Sequence, residues 1–174
     1  GALAAQLRHR HRHHGPNVLR VIRPLVASVL VVDYRDYDTR LAAYAVIKDH
    51  AGRVLLALSN EAETPKWTMP GGGVELHETV EEAVVREVRE ETGFDIIVGR
   101  LLGVHTFVLP PHVRVNTADR HLKSVRVVFE ATIVGGELRD EVDGTTDEAR
   151  WVDLAAVPDL PRVSLVDIAL GMAL

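Results

Sequence analysis

The 174 residues contain 20 Lys and Arg against 25 Asp and Glu, giving a formal net charge of −5, and 47% of them are hydrophobic. This length and composition are typical of one globular domain and exclude a fibrous or disordered chain. The acidic balance argues against a general nucleic-acid binder, because affinity for phosphate backbones comes from surplus Lys and Arg. A single nucleotide remains possible as a ligand.

Two features of the composition bear on location. The sequence has no cysteine, which excludes disulfides, thiolate zinc sites and cysteine nucleophiles and suits a reducing compartment. The longest apolar run, residues 25–32, is far shorter than the roughly 20 residues of a membrane helix. We therefore expect a soluble, cytoplasmic protein with no membrane partner.

The N-terminal segment differs from the rest of the chain. Residues 1–24 contain five arginines and four histidines and no acidic residue. This composition predicts a basic arm separate from a domain formed by residues 25–174. We expect the arm to be a flexible or partner-packed tail, with metal or phosphate binding as the alternative.

The first half of the domain has strand patterns followed by a helix. Strands are predicted at residues 25–32, 41–48, 53–58 and 67–69. The turn sequence of residues 49–52 joins the second and third of these as a hairpin. A glycine run, residues 71–73, indicates close backbone approach or positive φ angles. Residues 78–92 are predicted to form a helix that ends with Gly93 as its cap.

The second half is mostly strand. Residues 96–109 and 124–134 are long β-rich stretches, and the loop between them, residues 110–123, is a candidate for substrate contact. Residues 150–152 form a short final strand, and residues 163–174 have the spacing of a closing amphipathic helix. The pattern predicts an α+β sandwich in which a mixed sheet is covered by helices on both faces.

The helix carries three carboxylates on one side. At about 100° per residue, Glu87, Glu90 and Glu91 fall within roughly 100° of one another. The apolar residues Val80, Ala83 and Val84 project to the same side. Carboxylates on a helix face that points into the protein require a cation to balance their charge. Hard cations such as Mg²⁺ or Mn²⁺ bind both carboxylates and phosphates. The alternative is a solvated acidic face, which is common on helices.

The residues around this helix match a known motif. Its nine defined positions are Gly72, Glu78, Arg86, Glu87, Val88, Glu90, Glu91, Gly93 and Phe94. The segment resembles the Nudix box at all nine of these positions. The probability of such a match by chance is on the order of 10⁻⁷ at typical residue frequencies. The resemblance extends from residue 25 to the C-terminus. It implies an αβα sandwich and metal-dependent hydrolysis of a diphosphate linkage in a nucleoside diphosphate derivative.

The resemblance also implies roles for individual residues. The metal ligands are Glu87, Glu90 and Glu91, with the carbonyl of Gly71 as a further ligand for Mg²⁺ or Mn²⁺. Arg86 orients Glu87, and Glu78 supports the loop geometry or a water molecule. The general base is either Glu87 or Glu148, which lies in the acidic loop of residues 139–148. Substrate contacts are expected from Gly72, Gly73 and Arg120.

Substrate identity rests on weaker features. Pro110 lies 16 positions after Phe94, which resembles a marker of the ADP-ribose pyrophosphatase group. Arg114, Arg120 and Lys123 surround the same loop and are candidates for phosphate or ribose contact. ADP-ribose or an ADP-sugar is therefore preferred, with a nucleoside triphosphate next. The alternatives are a non-catalytic nucleotide sensor and a hydrolase of capped RNA or dinucleoside polyphosphates. A homodimer is expected from the resemblance alone.

Overall fold

The computed structural model describes residues 32–61, 63–114, 119–141 and 144–174. These residues form seven strands and two α-helices: β1 (Asp38–Val46), β2 (Arg53–Ser59), β3 (Lys66–Thr68), β4 (Gly71–Gly73), α1 (Val80–Thr92), β5 (Phe94–Leu109), β6 (Leu122–Gly136), β7 (Thr146–Asp153) and α2 (Ser164–Met172). The predicted basic arm, and the predicted strand at residues 25–32 except for Val32, lie outside the described residues. The proposed domain boundary therefore stays a prediction.

The strands form two sheets. The larger has the order β4-β1-β6-β5, with β1 parallel to β6 and the other neighbours antiparallel. The smaller is antiparallel, with the order β3-β2-β7. The prediction of a mixed sheet is confirmed. Strand β7 is longer than predicted because it pairs along all of β2.

The predicted hairpin between the first two described strands is wrong, since β1 and β2 belong to different sheets. The turn itself is present, with an isolated bridge between Lys48 and Val54. Beyond that bridge the edge of β1 is taken by β4, which pairs along residues 42–44, and the Ala45 amide donates to the Pro70 carbonyl. The Leu55 amide of β2 still donates to the Ile47 carbonyl at 3.0 Å beside the turn, but from Ala45 back to Ala42 the edge belongs to β4 and Pro70, so the two strands diverge.

Alternating side chains of β1 enter two separate cores. Ala43, Ala45 and Ile47 pack with α1, whereas Ala42, Tyr44 and Val46 pack with α2. Successive side chains of a strand point to opposite faces, so a strand covered on both sides is apolar at nearly every position. The αβα sandwich is confirmed. No helix of the described residues is long and apolar enough to cross a membrane.

Both ends of α1 are fixed by local hydrogen bonds. Thr79 accepts from the Glu82 amide and Glu82 accepts from the Thr79 amide, which forms a capping box. The helix therefore begins at Val80, two residues later than predicted. Gly93 ends it in the left-handed region with φ of 77°, as predicted, and its amide bonds to the Arg89 carbonyl. These caps determine which residues of α1 face the glycine strand β4.

Candidate functional site

A cavity of about 280 Å³ lies beside β4. It brings together the glycine strand, three carboxylates and two guanidinium groups: Gly71–Gly73, Glu61, Glu87, Glu91, Arg40 and Arg126. Tyr44 and Thr68 contribute to the same wall. Sequence positions almost 90 residues apart therefore meet in one site.

The glycines of β4 allow neighbouring groups to approach the backbone very closely. Gly71 has φ of 133°, and a Cβ there would lie 2.2 Å from the Ala43 carbonyl oxygen. A Cβ on Gly72 would lie 2.6 Å from the Glu87 carboxylate. Only a strand without side chains fits between β1 and α1 at this point. The sequence-based expectation of close backbone approach is met at these two positions.

Arg86 connects the carboxylates of the helix to the glycine strand. Its Nε and Nη2 donate to Glu78 at 3.1 and 2.7 Å, and Nη1 donates to Glu87 at 3.1 Å and Glu90 at 3.0 Å. Nη2 also donates to the Gly73 carbonyl at 3.1 Å. The hydrogen bonds to Glu78 are the main reason that the pKa of Arg86 is raised. Arg86 is therefore placed to hold Glu87, as the resemblance implies.

Glu78 ties the loop before α1 to this arginine. Its Oε1 accepts from the Glu75 amide at 2.7 Å as well as from Arg86. The hydrogen bond from Arg86 is the largest cause that lowers the pKa of Glu78. A carboxylate held on both sides fixes the chain between β4 and α1, which agrees with the predicted support role.

Glu91 is an acid buried inside the protein. It is 5% exposed, and its two oxygens accept from the Gly71 amide at 2.7 Å and from the Thr146 hydroxyl at 2.8 Å. Burial raises the pKa of Glu91 to about 8 against these hydrogen bonds. Burial also raises the pKa of Glu87, although Arg86 opposes the shift. Among the described residues Glu91 has no salt-bridge partner, and Glu87 shares the single cation Arg86 with Glu78 and Glu90. A divalent cation with oxygen ligands fits this excess of negative charge.

The three predicted ligands do not all face the cavity. Glu87 and Glu91 line it, whereas Glu90 is about half exposed and paired with Arg86. Across the described ranges, no three His, Asp or Glu side chains already surround a common point in the manner of a metal site. Both oxygens of Glu91 accept hydrogen bonds, from Gly71 and Thr146, and one oxygen each of Glu87 and Glu90 accepts from Arg86. The predicted convergence is thus realised for two of the three glutamates.

Glu148, one of the two predicted bases, does not line the cavity. It lies on β7 and pairs with Arg150 at 2.9 Å, because residues two apart on a strand share a face. Arg150 in turn lies over the Trp67 ring at 4.5 Å. Of the same acidic segment, Glu141 is nearer to Glu91, since it accepts from the amide of Thr146 at 3.0 Å. Glu61, which sequence reasoning passed over, lines the cavity instead.

Arg120, the predicted substrate contact, lies two residues before β6 and is not among the residues that line the cavity. It pairs with Asp38 at 3.5 Å, and Arg114 pairs with the same carboxylate at 2.7 Å. Arg114 also donates to the Arg120 carbonyl at 2.8 Å. These contacts close the base of the predicted substrate loop, of which residues 115–118 lie outside the described residues.

The arginines that do line the cavity, Arg40 and Arg126, were missed by sequence reasoning. Arg126 lies opposite Ala42 in the parallel pairing of β6 with β1, which sequence alone does not reveal. A signal was nevertheless present, because Arg126 interrupts an otherwise apolar strand core. Such a local violation of the folding pattern is where function is expected.

Comparisons with known proteins agree with this geometry. A family model for the NUDIX domain matches residues 38–167. An ADP-ribose pyrophosphatase from Methanocaldococcus jannaschii is 35% identical over 130 residues, covering 73% of this chain and 70% of that protein. A MutT Nudix hydrolase from Burkholderia pseudomallei is 31% identical with a TM-score of 0.60, covering 79% of this chain and 99% of that one.

A further solved structure, a Nudix hydrolase from Nitrosomonas europaea, has a TM-score of 0.66 at 21% identity and covers 78% of this chain and 88% of that one. At that identity the likeness concerns the fold alone. Together with the family model, these matches show that the chain belongs to the Nudix hydrolase family. Members generally use a divalent metal and act on small nucleotide substrates.

The chain covers very different shares of its relatives. It spans 70% of the archaeal pyrophosphatase but 31%, 38% and 57% of three other curated relatives that it matches. The activity and substrates of those longer proteins therefore bear on this chain only as grounds for a proposal.

Replacing Glu91 by Gln tests the burial of an ionisable group. The folded protein favours protonated Glu91, so its contribution to stability is full below pH 4.5 and is lost as the pH rises through about 8. In EDTA, we expect Glu91→Gln to gain stability relative to the parent protein across this window, by up to about 1.4 kcal/mol per pH unit. Urea unfolding at pH 5, 6.5 and 8 measures the difference.

Glu90→Gln is the matched control, because the same change is made at a half-exposed position one residue away. Its stability difference from the parent should stay nearly constant with pH. Equal pH dependence in Glu91→Gln and Glu90→Gln would contradict the raised pKa of Glu91.

Proposed function

We propose that the protein is a metal-dependent pyrophosphohydrolase that cleaves the diphosphate linkage of a nucleoside diphosphate derivative. The observation that carries the proposal is the pair of desolvated carboxylates, Glu87 and Glu91, beside a side-chain-free strand. Arg40 and Arg126 line the same cavity. Carboxylates for a cation and guanidinium groups for phosphate are the two components that this chemistry requires.

Glu87, Glu91 and the Gly71 carbonyl would hold the cation, and Glu90 would join them if its carboxylate left Arg86. Mg²⁺ and Mn²⁺ suit this set because all the donors are oxygen atoms. When bound, such an ion neutralises the diphosphate, polarises the phosphorus and acidifies a water molecule.

The chain's own groups do the remaining work. Glu87 takes the proton of the attacking water, and its burial brings the pKa of its carboxylate toward the working pH. Arg86 keeps the Glu87 carboxylate in one rotamer through the hydrogen bond at 3.1 Å. Glu148 is the alternative base, and its ion pair with Arg150 must break before it can act.

ADP-ribose or an ADP-sugar is the preferred substrate. The support comes from the placement of Pro110 relative to Phe94 and from the relative named an ADP-ribose pyrophosphatase. A nucleoside triphosphate comes next, because a solved relative is named a MutT hydrolase. The proposal includes a cytoplasmic homodimer without nucleic-acid partners, for which the support is the cysteine-free, acidic composition and the resemblance.

A substrate panel tests the function directly. ADP-ribose, ADP-sugars, nucleoside triphosphates, dinucleoside polyphosphates and capped RNA are incubated with Mg²⁺ or Mn²⁺, and products are separated by chromatography. We expect AMP and a sugar phosphate from the ADP-linked compounds, because cleavage falls between the two phosphorus atoms. If only nucleoside triphosphates were hydrolysed, they would replace ADP-ribose and ADP-sugars as the proposed substrates. Binding of a nucleotide without turnover of any compound would favour the sensor.

The choice of base is tested by a pair of isosteric changes. Removal of a general base lowers turnover by about 10² to 10⁴-fold, so we expect kcat to fall by this factor in Glu87→Gln and to change little in Glu148→Gln. Turnover is measured across the pH range with the best substrate of the panel. A large loss in Glu148→Gln alone would reverse the assignment, and Glu61→Gln tests the remaining carboxylate of the cavity lining among the described residues.

Two neighbouring glycines provide a matched test of metal binding. A Cβ on Gly72 would lie 2.6 Å from the Glu87 carboxylate, whereas a Cβ on Gly73 would lie 3.5 Å from the nearest atom, Nη2 of Arg40. Displacing a ligand by such a clash should weaken Mn²⁺ binding about 10- to 100-fold in Gly72→Ala. Gly73→Ala should leave it nearly unchanged. Electron paramagnetic resonance of free Mn²⁺ measures the affinity of each variant. Equal Mn²⁺ affinities in Gly72→Ala and Gly73→Ala would contradict Glu87 as a ligand.

A further inference from the structure

Two unpaired polar atoms lie next to each other on the large sheet. Within the described residues, the buried side-chain atoms without a hydrogen-bond partner are Nδ1 of His105 and Nε of Arg126. These residues are directly opposite on β5 and β6. Buried polar atoms nearly always have a hydrogen-bond partner, so two neighbouring buried atoms without one are unusual.

Arg126 is held in place by aromatic contact rather than by an acid. Its guanidinium lies 4.0 Å from the centre of the Phe107 ring, and that ring is stacked with His105 at 6.3 Å. A cation over an aromatic face is attracted to it, but its charge is not neutralised. Burial lowers the pKa of Arg126, with the nearby charge of Arg40 as a further cause. The geometry therefore fixes a positive group at the cavity wall and leaves its charge available.

Arg40 provides a second positive charge on the same face. It pairs with Ser124 in β6, two positions from Arg126, and even-numbered residues of this ladder share one face. No acidic partner within hydrogen-bond or ion-pair distance is present for either Arg40 or Arg126 among the residues that the structure describes. By contrast, Arg86, Arg114 and Arg150 are each paired with a carboxylate.

The glycine strand keeps this positive pair apart from the negative one. Arg40 lies against Gly73, and the Glu87 carboxylate lies against Gly72. Adjacent residues of a strand face opposite sides, so β4 separates the guanidinium of Arg40 from Glu87. Both groups nevertheless line one cavity, and a ligand that spans it meets cations on one side and carboxylates on the other.

We propose that Arg40 and Arg126 form a phosphate site that binds the nucleotide independently of the divalent cation. The identity of the ligand rests on the proposed function, whereas the site rests on two guanidinium groups at the cavity that have no acidic partner among the described residues. Planar guanidinium groups suit phosphate oxygens because several N–H donors point the same way. Arg40 and Arg126 act as positioning residues that hold the diphosphate against the edge where Glu87 and Glu91 lie.

Metal-free binding tests this site without any turnover. ADP and inorganic pyrophosphate are titrated calorimetrically into the full chain in EDTA. Loss of a charge-assisted contact should raise the Kd for both probes about tenfold or more in Arg126→Met and Arg40→Gln. The control is Arg100→Gln, which removes an exposed arginine paired with Glu130 at 3.6 Å and outside the cavity lining. Its Kd values should match those of the parent.

Unchanged Kd values in both cavity variants, or an equal loss in Arg100→Gln, would overturn the phosphate site. Arg126 is half-buried, so circular dichroism is used to check that Arg126→Met folds. Arg40 is exposed, and Arg40→Gln alone tests the phosphate site if Arg126→Met does not fold. Adenosine serves as the phosphate-free probe, and an equal loss of adenosine binding would also overturn the assignment.

The outcome is separable from that of the proposed function. If ADP binding depends on Arg40 and Arg126 but no compound is hydrolysed, the result would support the phosphate site and contradict the proposed hydrolase activity. In an active enzyme, Arg40→Gln should raise KM while kcat stays nearly constant, since a group that binds ground and transition states alike affects binding. A fall in kcat with unchanged KM would contradict the positioning role.

Discussion

The hydrogen bond from the Gly71 amide to the buried carboxylate of Glu91 is the contact on which the rest of the site depends. It fastens α1 to β4, and β4 in turn occupies the edge of β1. This approach is possible because Gly71 and Gly72 lack side chains. The same pairing explains why β2 leaves the large sheet and why Glu87 reaches the cavity beside Gly72. Fold and candidate site thus share one constraint.

Burial of the charged groups of the site destabilises the folded protein. Ionised carboxylates lose hydration when buried, and this desolvation raises the pKa values of Glu87 and Glu91. Arg40 and Arg126 have no acidic partner within ion-pair distance among the described residues. Arg40 lowers the pKa of Glu87 from across β4, but burial outweighs this effect, so the two sets do not neutralise each other. A metal-bound phosphate ligand would meet both requirements at once, which is why the proposed chemistry and the strained electrostatics point to the same occupant.

Much of the architecture was predictable because its determinants are local. The helix, its Gly93 cap and the glycine approach follow from residues close together in sequence. The hairpin prediction failed because the competitor for the edge of β1 was a three-residue strand with no apolar pattern. Arg40 and Arg126 were missed because they meet only through the parallel register of β1 and β6. Glu148 has a suitable sequence position, but strand alternation places Arg150 beside it.

The double ion pair at Asp38 has a consequence for how this protein can change over evolutionary time. Arg114 and Arg120 both bind Asp38, so the segment between them begins and ends at one carboxylate on the first described strand. Insertions there lengthen a loop whose ends are already fixed, and the entropy of closing such a loop grows only slowly with its length. Lineages can therefore exchange the length and composition of this segment without disturbing the ion pairs that hold its two ends.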